Sequence, residues 1–196
     1  MIHNVFKNNI FKNDIRNINN ISLMMTLINY DKFIVYTDGA CRNNGKLNAL
    51  SSIGIYFSNR NLKKIDNVSE IVKGNNHTNN IAELTAINKS LRIIKENDIK
   101  LPIQLYTDSQ YSIKTLTKWY PNWSEKDKKT KKNIPLITDT YKLICDVKPE
   151  LSYVKAHTGL DDEHSLGNAI ADQLANDALD KFDKNNKGIL KYFQYQ

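Results

Sequence analysis

An aspartate closing a strand is the first residue in this chain that could do chemistry, because it occurs twice in nearly the same phrase. Tyr36-Thr37-Asp38-Gly39-Ala40 and Tyr106-Thr107-Asp108-Ser109 each end an apolar run, and the two aspartates stand 70 positions apart. Strong β-formers at 33–36 predict a buried strand, and Gly39 lets the backbone turn where a side chain would obstruct a ligand. The run Leu101 to Leu105 predicts a second strand ending at Asp108. In open α/β sheets ligands bind beyond the carboxyl ends of parallel strands, so neighbouring strands would bring the two acids together there. Like charges at that separation repel unless a cation lies between them. The alternative is that each aspartate only caps the turn or helix that follows it.

The elements that must position these acids follow from periodicity. After a polar turn over 41–50, Ile53, Ile55 and Phe57 alternate with Gly54, Tyr56 and Ser58, which marks a half-buried strand. The short connection makes the pair antiparallel, and 62–72 supplies a third strand. Thr78-Asn79-Asn80-Ile81-Ala82-Glu83 opens a helix in which Asn80 and Glu83 are spaced like a capping box. Leu84, Ile87, Leu91 and Ile94 form its apolar stripe. Glu83 falls beside that stripe, where a simple capping glutamate is the plainer reading. Ser109 caps a second helix running toward Trp119 and stopped by Pro121. Helices over 134–145 and 166–179 flank a fifth strand over 151–155. The order β-β-β-α-β-α-α-β-α implies an α/β fold with a mixed sheet and helices packed against it.

Composition narrows the partners. The 196 residues, 40% hydrophobic and 25% charged, suit one domain, or one with tails. A net charge of +7 and a pI near 9.2 favour polyanions, nucleic acid above all. Trp119-Tyr120-Pro121-Asn122-Trp123 precedes Lys126, Lys128, Lys129, Lys131 and Lys132; aromatics beside lysines suit a nucleic-acid backbone, although a lysine run is more often simply solvated. Cys41 and Cys145 make neither a disulfide framework nor metal-ligand spacing, which fits a reducing, cytoplasmic setting. No apolar run approaches the ~18 residues a membrane span needs. Residues 1–31, rich in Asn and Ile, are expected to be a disordered or loosely docked extension, with organelle targeting as the alternative.

Five stretches, in order, resemble type 1 ribonuclease H, the nucleases that cut the RNA strand of RNA/DNA hybrids. They are Tyr36-Thr37-Asp38-Gly39-Ala40, Thr78-Asn79-Asn80-Ile81-Ala82-Glu83-Leu84, Tyr106-Thr107-Asp108-Ser109-Gln110-Tyr111, Val154-Lys155-Ala156-His157-Thr158-Gly159, and Gly167-Asn168-Ala169-Ile170-Ala171-Asp172-Gln173-Leu174-Ala175. The resemblance implies a ribonuclease H-like fold over 32–180, with a five-stranded mixed sheet whose first three strands are antiparallel and whose fourth and fifth are parallel to the first. Residues 181–196 are left as a tail. It further implies a metal site of Asp38, Glu83, Asp108 and Asp172, with His157 beside it on a mobile loop as a further catalytic group. Asn44, Asn80 and Gln110 match positions that contact the hybrid, Thr78 and Asn133 match a pocket for a DNA-strand phosphate, and Trp119 and Trp123 match aromatics of a basic protrusion. That protrusion, Trp123 to Asn133, is shorter here than in long-protrusion members.

Hard oxygen ligands of this kind suit Mg²⁺ or Mn²⁺. Two ions ~4 Å apart could activate a water and stabilise the leaving 3′ oxygen, giving 5′-phosphate and 3′-hydroxyl ends. The expected partner is an RNA/DNA hybrid, acted on by a monomer with no membrane association. Related nucleases fit less well: the exonuclease pattern wants a glutamate two positions after the first aspartate, where Ala40 stands, and integrase-like sites end in a glutamate rather than an Asp172 motif. A non-catalytic hybrid-binding module would not need all four acids. The chain departs most from the family between His157 and Asp172, where Asp161, Asp162, Glu163 and His164 lengthen the connection and put a second histidine in play.

Overall fold

The computed structural model describes residues 32–58, 60–61 and 63–194, with side chains through Asn186. The expected extension, 1–31, lies outside the described residues. Strands β1 (Phe33–Arg42), β2 (Leu50–Phe57), β3 (Val68–Ile71), β4 (Ile103–Thr107) and β5 (Glu150–Tyr153) form one sheet in the order β3-β2-β1-β4-β5. The β1–β2 and β2–β3 pairs are antiparallel; β1–β4 and β4–β5 are parallel. This is the mixed sheet of a ribonuclease H-like α/β fold.

Alternation along β1 sorts the two faces of the sheet. Phe33 and Val35 join Ile53, Ile55 and Phe57 against helix α1 (Asn79–Glu96), whose Leu84, Ile87 and Leu91 are fully buried and Ile94 nearly so. Each such side chain is worth roughly 1.5–3 kcal/mol of burial. Helix α4 (Ile134–Val147) covers α1 through Ile137 and Leu143. On the other face Ile34 and Tyr36 pack on Ala171 of helix α5 (Glu163–Gln194). Among the described residues no helix is long and apolar enough to cross a membrane.

Several boundaries differ from the sequence reading, each for a physical reason. Strand β1 does not end at Asp38 but continues, paired with β2, to Arg42 opposite Leu50. Only its parallel pairing with β4 stops, at Thr37 opposite Thr107. Gly39 therefore makes no turn; a Cβ there would lie 2.3 Å from the Glu83 amide nitrogen, so its role is to admit α1 against the strand. The cap of α1 is Thr78, extended at φ −145°, whose hydroxyl accepts from the Ile81 N–H at 3.2 Å. Asn80 and Glu83 form no capping box. The third strand is confined to Val68–Ile71 because Asn67, through its side-chain oxygen, takes the Phe57 N–H at 3.0 Å in place of a strand partner.

Ser109 does cap helix α2 (Gln110–Lys114). The chain then widens into a π-turn over Thr115–Trp119 and a 3₁₀ turn over Tyr120–Asn122 that contains Pro121. Proline is tolerated in that first turn, so it does not end the helical path at Trp119. The basic segment folds as a short helix, α3 (Glu125–Thr130), closed by a Ser124–Asp127 capping box. Helix α5 begins at Glu163, where Asp162 accepts the N–H groups of His164 and Ser165, and runs through the residues expected as a tail. No proline interrupts 181–194, and Arg42 pairs with Asp180 and Asp183.

Candidate active site

Asp38, Glu83 and Asp108 come together just past the last parallel pair of β1 and β4, each offering a carboxylate oxygen within 4.8 Å of the others. Three elements set this up. Asp38 is held in β1, with the Gly39 N–H donating to its Oδ1 at 2.7 Å. Asp108 follows the last residue of β4, and Asn168 on α5 donates to its Oδ2 at 3.5 Å. Glu83, in the second turn of α1, reaches the cluster because Gly39 lets that helix lie on the strand.

The electrostatics leave these acids short of counter-charge. Asp38 is 6% exposed and Glu83 5%, and Glu83 Oε2 is buried with no hydrogen-bond partner. Burial first, then the charge of Asp108 and that of Asp172, push Asp38 up to about 7 against the Gly39 N–H. Burial and the charges of Asp38 and Asp108 raise Glu83 well above the ordinary carboxyl range. Asp108 is raised chiefly by burial, while the Asn168 amide and the charge of His157 pull the other way. A buried acceptor left unpaired carries a full desolvation cost. A hard divalent cation removes that cost, and the three-carboxylate set fits Mg²⁺ or Mn²⁺ chemistry.

Asp172 stands beside this triad. Its charge acts on both Asp38 and Asp108, while its own Oδ1 accepts from Asn176 at 2.9 Å. His157 is exposed, in a left-handed turn at φ 50°, with its charge acting on Asp108. The connection that carries it is shorter than the sequence reading implied, because α5 takes over at Glu163. His164 belongs to that helix and is bonded to Tyr36 and Tyr106, so it is not a second mobile histidine.

The expected substrate positions lie along two adjoining clefts. One, of about 780 Å³, is walled by Asn44, Thr78, Asn80 and Asn133 together with Tyr111 and Lys132. Asn44 Oδ1 accepts the Asn79 N–H at 3.3 Å, which ties the β1–β2 turn to the start of α1. Asn133 takes the left-handed conformation, φ 61°, that asparagine tolerates better than most residues. The second cleft, of about 420 Å³, is lined by Trp119, Trp123, Tyr111, Lys131 and Lys132. Gln110 is exposed at the start of α2. The lysine run divides: Lys128 pairs with Glu125 at 2.8 Å, whereas Lys131 lies over the Trp123 ring and, with Lys132, lines the cleft.

Sequence reasoning assigned no role to Tyr111 or Asn168, and gave Lys132 only a place in the basic run. Asn168 was readable in principle, being four residues before Asp172 and so on the same helical face. Tyr111 and Lys132 line both clefts, a place that depends on packing between segments and leaves no periodic trace.

Residues 30–180 match the sequence model of the family described as RNase H. The Ribonuclease H of Ruthia magnifica is 38% identical over 157 residues, covering 77% of this chain and 97% of that protein. The Ribonuclease H of Schizosaccharomyces pombe is 37% identical over 150 residues, 74% of this chain; the match spans about half, 52%, of the longer yeast protein. Among solved structures, LC9-RNase H1, a type 1 RNase H, superposes with a TM-score of 0.59 at 23% identity, covering 75% of this chain and 71% of that one.

Proposed function

Since the chain belongs to the ribonuclease H family of hydrolases, we propose that it cuts the RNA strand of RNA/DNA hybrids endonucleolytically, with divalent cations held by Asp38, Glu83, Asp108 and Asp172. The observation that carries this is the buried, partnerless carboxylate oxygen of Glu83 within 4.8 Å of two further acids. Such a cluster is costly in the absence of a cation and well matched to one. When held by these carboxylates, two Mg²⁺ ions, or Mn²⁺ in their place, would supply activation of the attacking water and stabilisation of the leaving 3′ oxygen, consistent with 5′-phosphate and 3′-hydroxyl ends.

The chain's own residues do the rest. Asn168 orients the Asp108 carboxylate, and Asp172 completes the acid set from α5. His157, exposed beside Asp108, exchanges a proton with the leaving group or helps product depart. Asn44 and Asn80, which line the larger cleft, and Gln110, exposed at the start of α2, contact the hybrid, where the 2′-hydroxyls of an RNA strand can be told from DNA. The cleft of Thr78, Asn133 and Lys132 takes a phosphate of the DNA strand, and Trp119, Trp123 and Lys131 grip its backbone. The protein acts as a monomer.

The test is incubation with labelled RNA/DNA, RNA/RNA and DNA/DNA duplexes, with Mg²⁺ or with excess EDTA. Cleavage confined to the RNA of the hybrid, dependent on the metal and leaving 5′-phosphates, is expected. Equal cutting of all three duplexes, or cutting in EDTA, refutes the assignment.

A further inference from the structure

On the face of the sheet away from α1, Tyr56, Tyr36 and Tyr106 stand side by side on β2, β1 and β4, because Tyr36 is in register with both neighbours. Their rings stack, Tyr36 at 5.8 Å from Tyr56 and 5.1 Å from Tyr106. His164, in the first turn of α5, lies over this row with its ring centroid 4.2 Å from that of Tyr106. Both imidazole nitrogens are engaged: Nδ1 with the Tyr36 hydroxyl at 3.0 Å and Nε2 with the Tyr106 hydroxyl at 3.3 Å.

The same two strands carry Asp38 and lead into Asp108. His164, Asn168, Asp172 and Asn176 are spaced by four and share one stripe of α5. Asn168 donates to Asp108 at 3.5 Å, and the charge of Asp172 acts on Asp38 and Asp108. The helix's neighbouring stripe is small: a Cβ on Gly167 would lie 2.4 Å from the Tyr36 ring, and Ala171 and Ala175 crowd Gly54 so closely that it has no room for one. These small residues let the helix lie flat and close against the sheet. Ser52 and Ser69 fix the helix further along, donating to the Ala175 and Leu174 carbonyls. At its first turn, among the described residues, His164 bonds to β1 and β4, and Glu163 pairs with Arg60 in the loop after β2 at 2.7 Å.

We propose that His164 is a positioning residue for the carboxylate site: clamped between Tyr36 and Tyr106, it sets the rotation of the first turns of α5 and thereby the reach of Asn168 and Asp172 toward Asp108 and Asp38. This rests on the reading that those acids hold divalent metal. His164 touches neither substrate nor the reacting atoms.

The experiment measures Mn²⁺ and Mg²⁺ binding by calorimetry, alongside the metal concentration for half-maximal cleavage, for the full chain and for His164→Ala, His164→Gln and Tyr106→Phe. Groups that orient metal ligands directly change affinity 10- to 100-fold when lost, so a group one step further out is expected to weaken binding roughly three- to tenfold. Turnover at saturating metal and KM for the hybrid stay within about twofold of the full chain by the same reasoning. His164→Gln, which keeps a donor and an acceptor, recovers most of the loss, and His164→Ala adds nothing further in an Asp172→Asn background. Metal affinity unchanged in His164→Ala, or an equal loss with and without Asp172, overturns the proposal. If His164→Ala does not fold, Tyr106→Phe decides instead, removing one hydroxyl only: a weakened metal affinity supports the clamp and an unchanged one overturns it. Absence of metal binding by the full chain itself would overturn the metal reading, and the proposal with it.

Discussion

Replacing Asp38 by Asn should make the metal-free protein more stable at neutral pH while destroying its activity. Asp38 is buried among acids and held at about 7 rather than its ordinary 3.8. A group raised in the folded state contributes stability that is whole below its unfolded value and lost as pH rises through its folded one. For Asp38 the loss falls between about 4 and about 7. A shift of that size corresponds to roughly 4 kcal/mol at pH 8. Part belongs jointly to Asp108 and Glu83, which share the field, so the gain expected from Asp38→Asn is about 2–4 kcal/mol. In a domain of this size that is an increase in Tm of roughly 4–16 °C. The assay is thermal or urea denaturation in EDTA at pH 8.0, 6.5 and 4.0, repeated in Mg²⁺. The gain should be greatest at pH 8.0, shrink at 6.5 and almost vanish at 4.0. Mg²⁺ should stabilise the wild-type chain, which binds it when folded, more than the variant. A variant no more stable than wild type at pH 8.0, or one whose gain is the same at all three pH values, would refute the claim that unrelieved charge at this site opposes folding.

Asp108→Asn should abolish cleavage while leaving the fold and hybrid affinity largely intact, since volume is kept and the Asn168 amide retains an oxygen partner; wild-type turnover would reduce Asp108 to a local cap. Metal affinity should rise as pH increases through about 7, because Asp38 must lose its proton to bind a cation; calorimetric titration in two buffers of different ionisation enthalpy would report that proton release, and its absence would count against the assignment. Lys131→Gln with Lys132→Gln should flatten the salt dependence of hybrid binding, whereas Lys126→Gln with Lys129→Gln should change it little, because only the first pair lines a cleft; equal slopes would mean that the clefts are not the binding surface. His157→Ala should lower turnover roughly 10²-fold or more without abolishing it and barely alter hybrid affinity, and an unchanged single-turnover rate would remove His157 from the reaction.

What the sequence made legible was the part of the site that strand chemistry writes locally. Two matched runs ending in Asp38 and Asp108 were enough to foresee a meeting of carboxylates, because parallel neighbours deliver the ends of their strands to one edge. The alternation of 53–58 and the stripe from Leu84 to Ile94 gave the sheet's second strand and its covering helix. Less legible was anything fixed by close approach between elements. Gly39 looks from sequence like a turn residue; only packing reveals that it is the seat of α1. Glu83 looks like a capping group, and the true cap, Thr78, lies one residue before the helix it closes. The shift matters, since it takes Glu83 out of the first turn, where solvent and free amides would satisfy it, into a buried place where its Oε2 has no hydrogen-bond partner.

The last helix shows the same limit from the other side. An added stretch of polar residues such as Asp161-Asp162-Glu163-His164 reads as a longer mobile loop, and it would be one if Asp162 did not cap a helix there. Once it does, Glu163 and His164 belong to α5 instead of the connection, and His164 bonds the start of that helix to β1 and β4. His157 is left exposed at φ 50° on the connection before it, with its charge acting on Asp108. Ending the loop at Asp162 thus keeps that histidine off the helix while tying the start of α5 to the two strands that lead to Asp38 and Asp108.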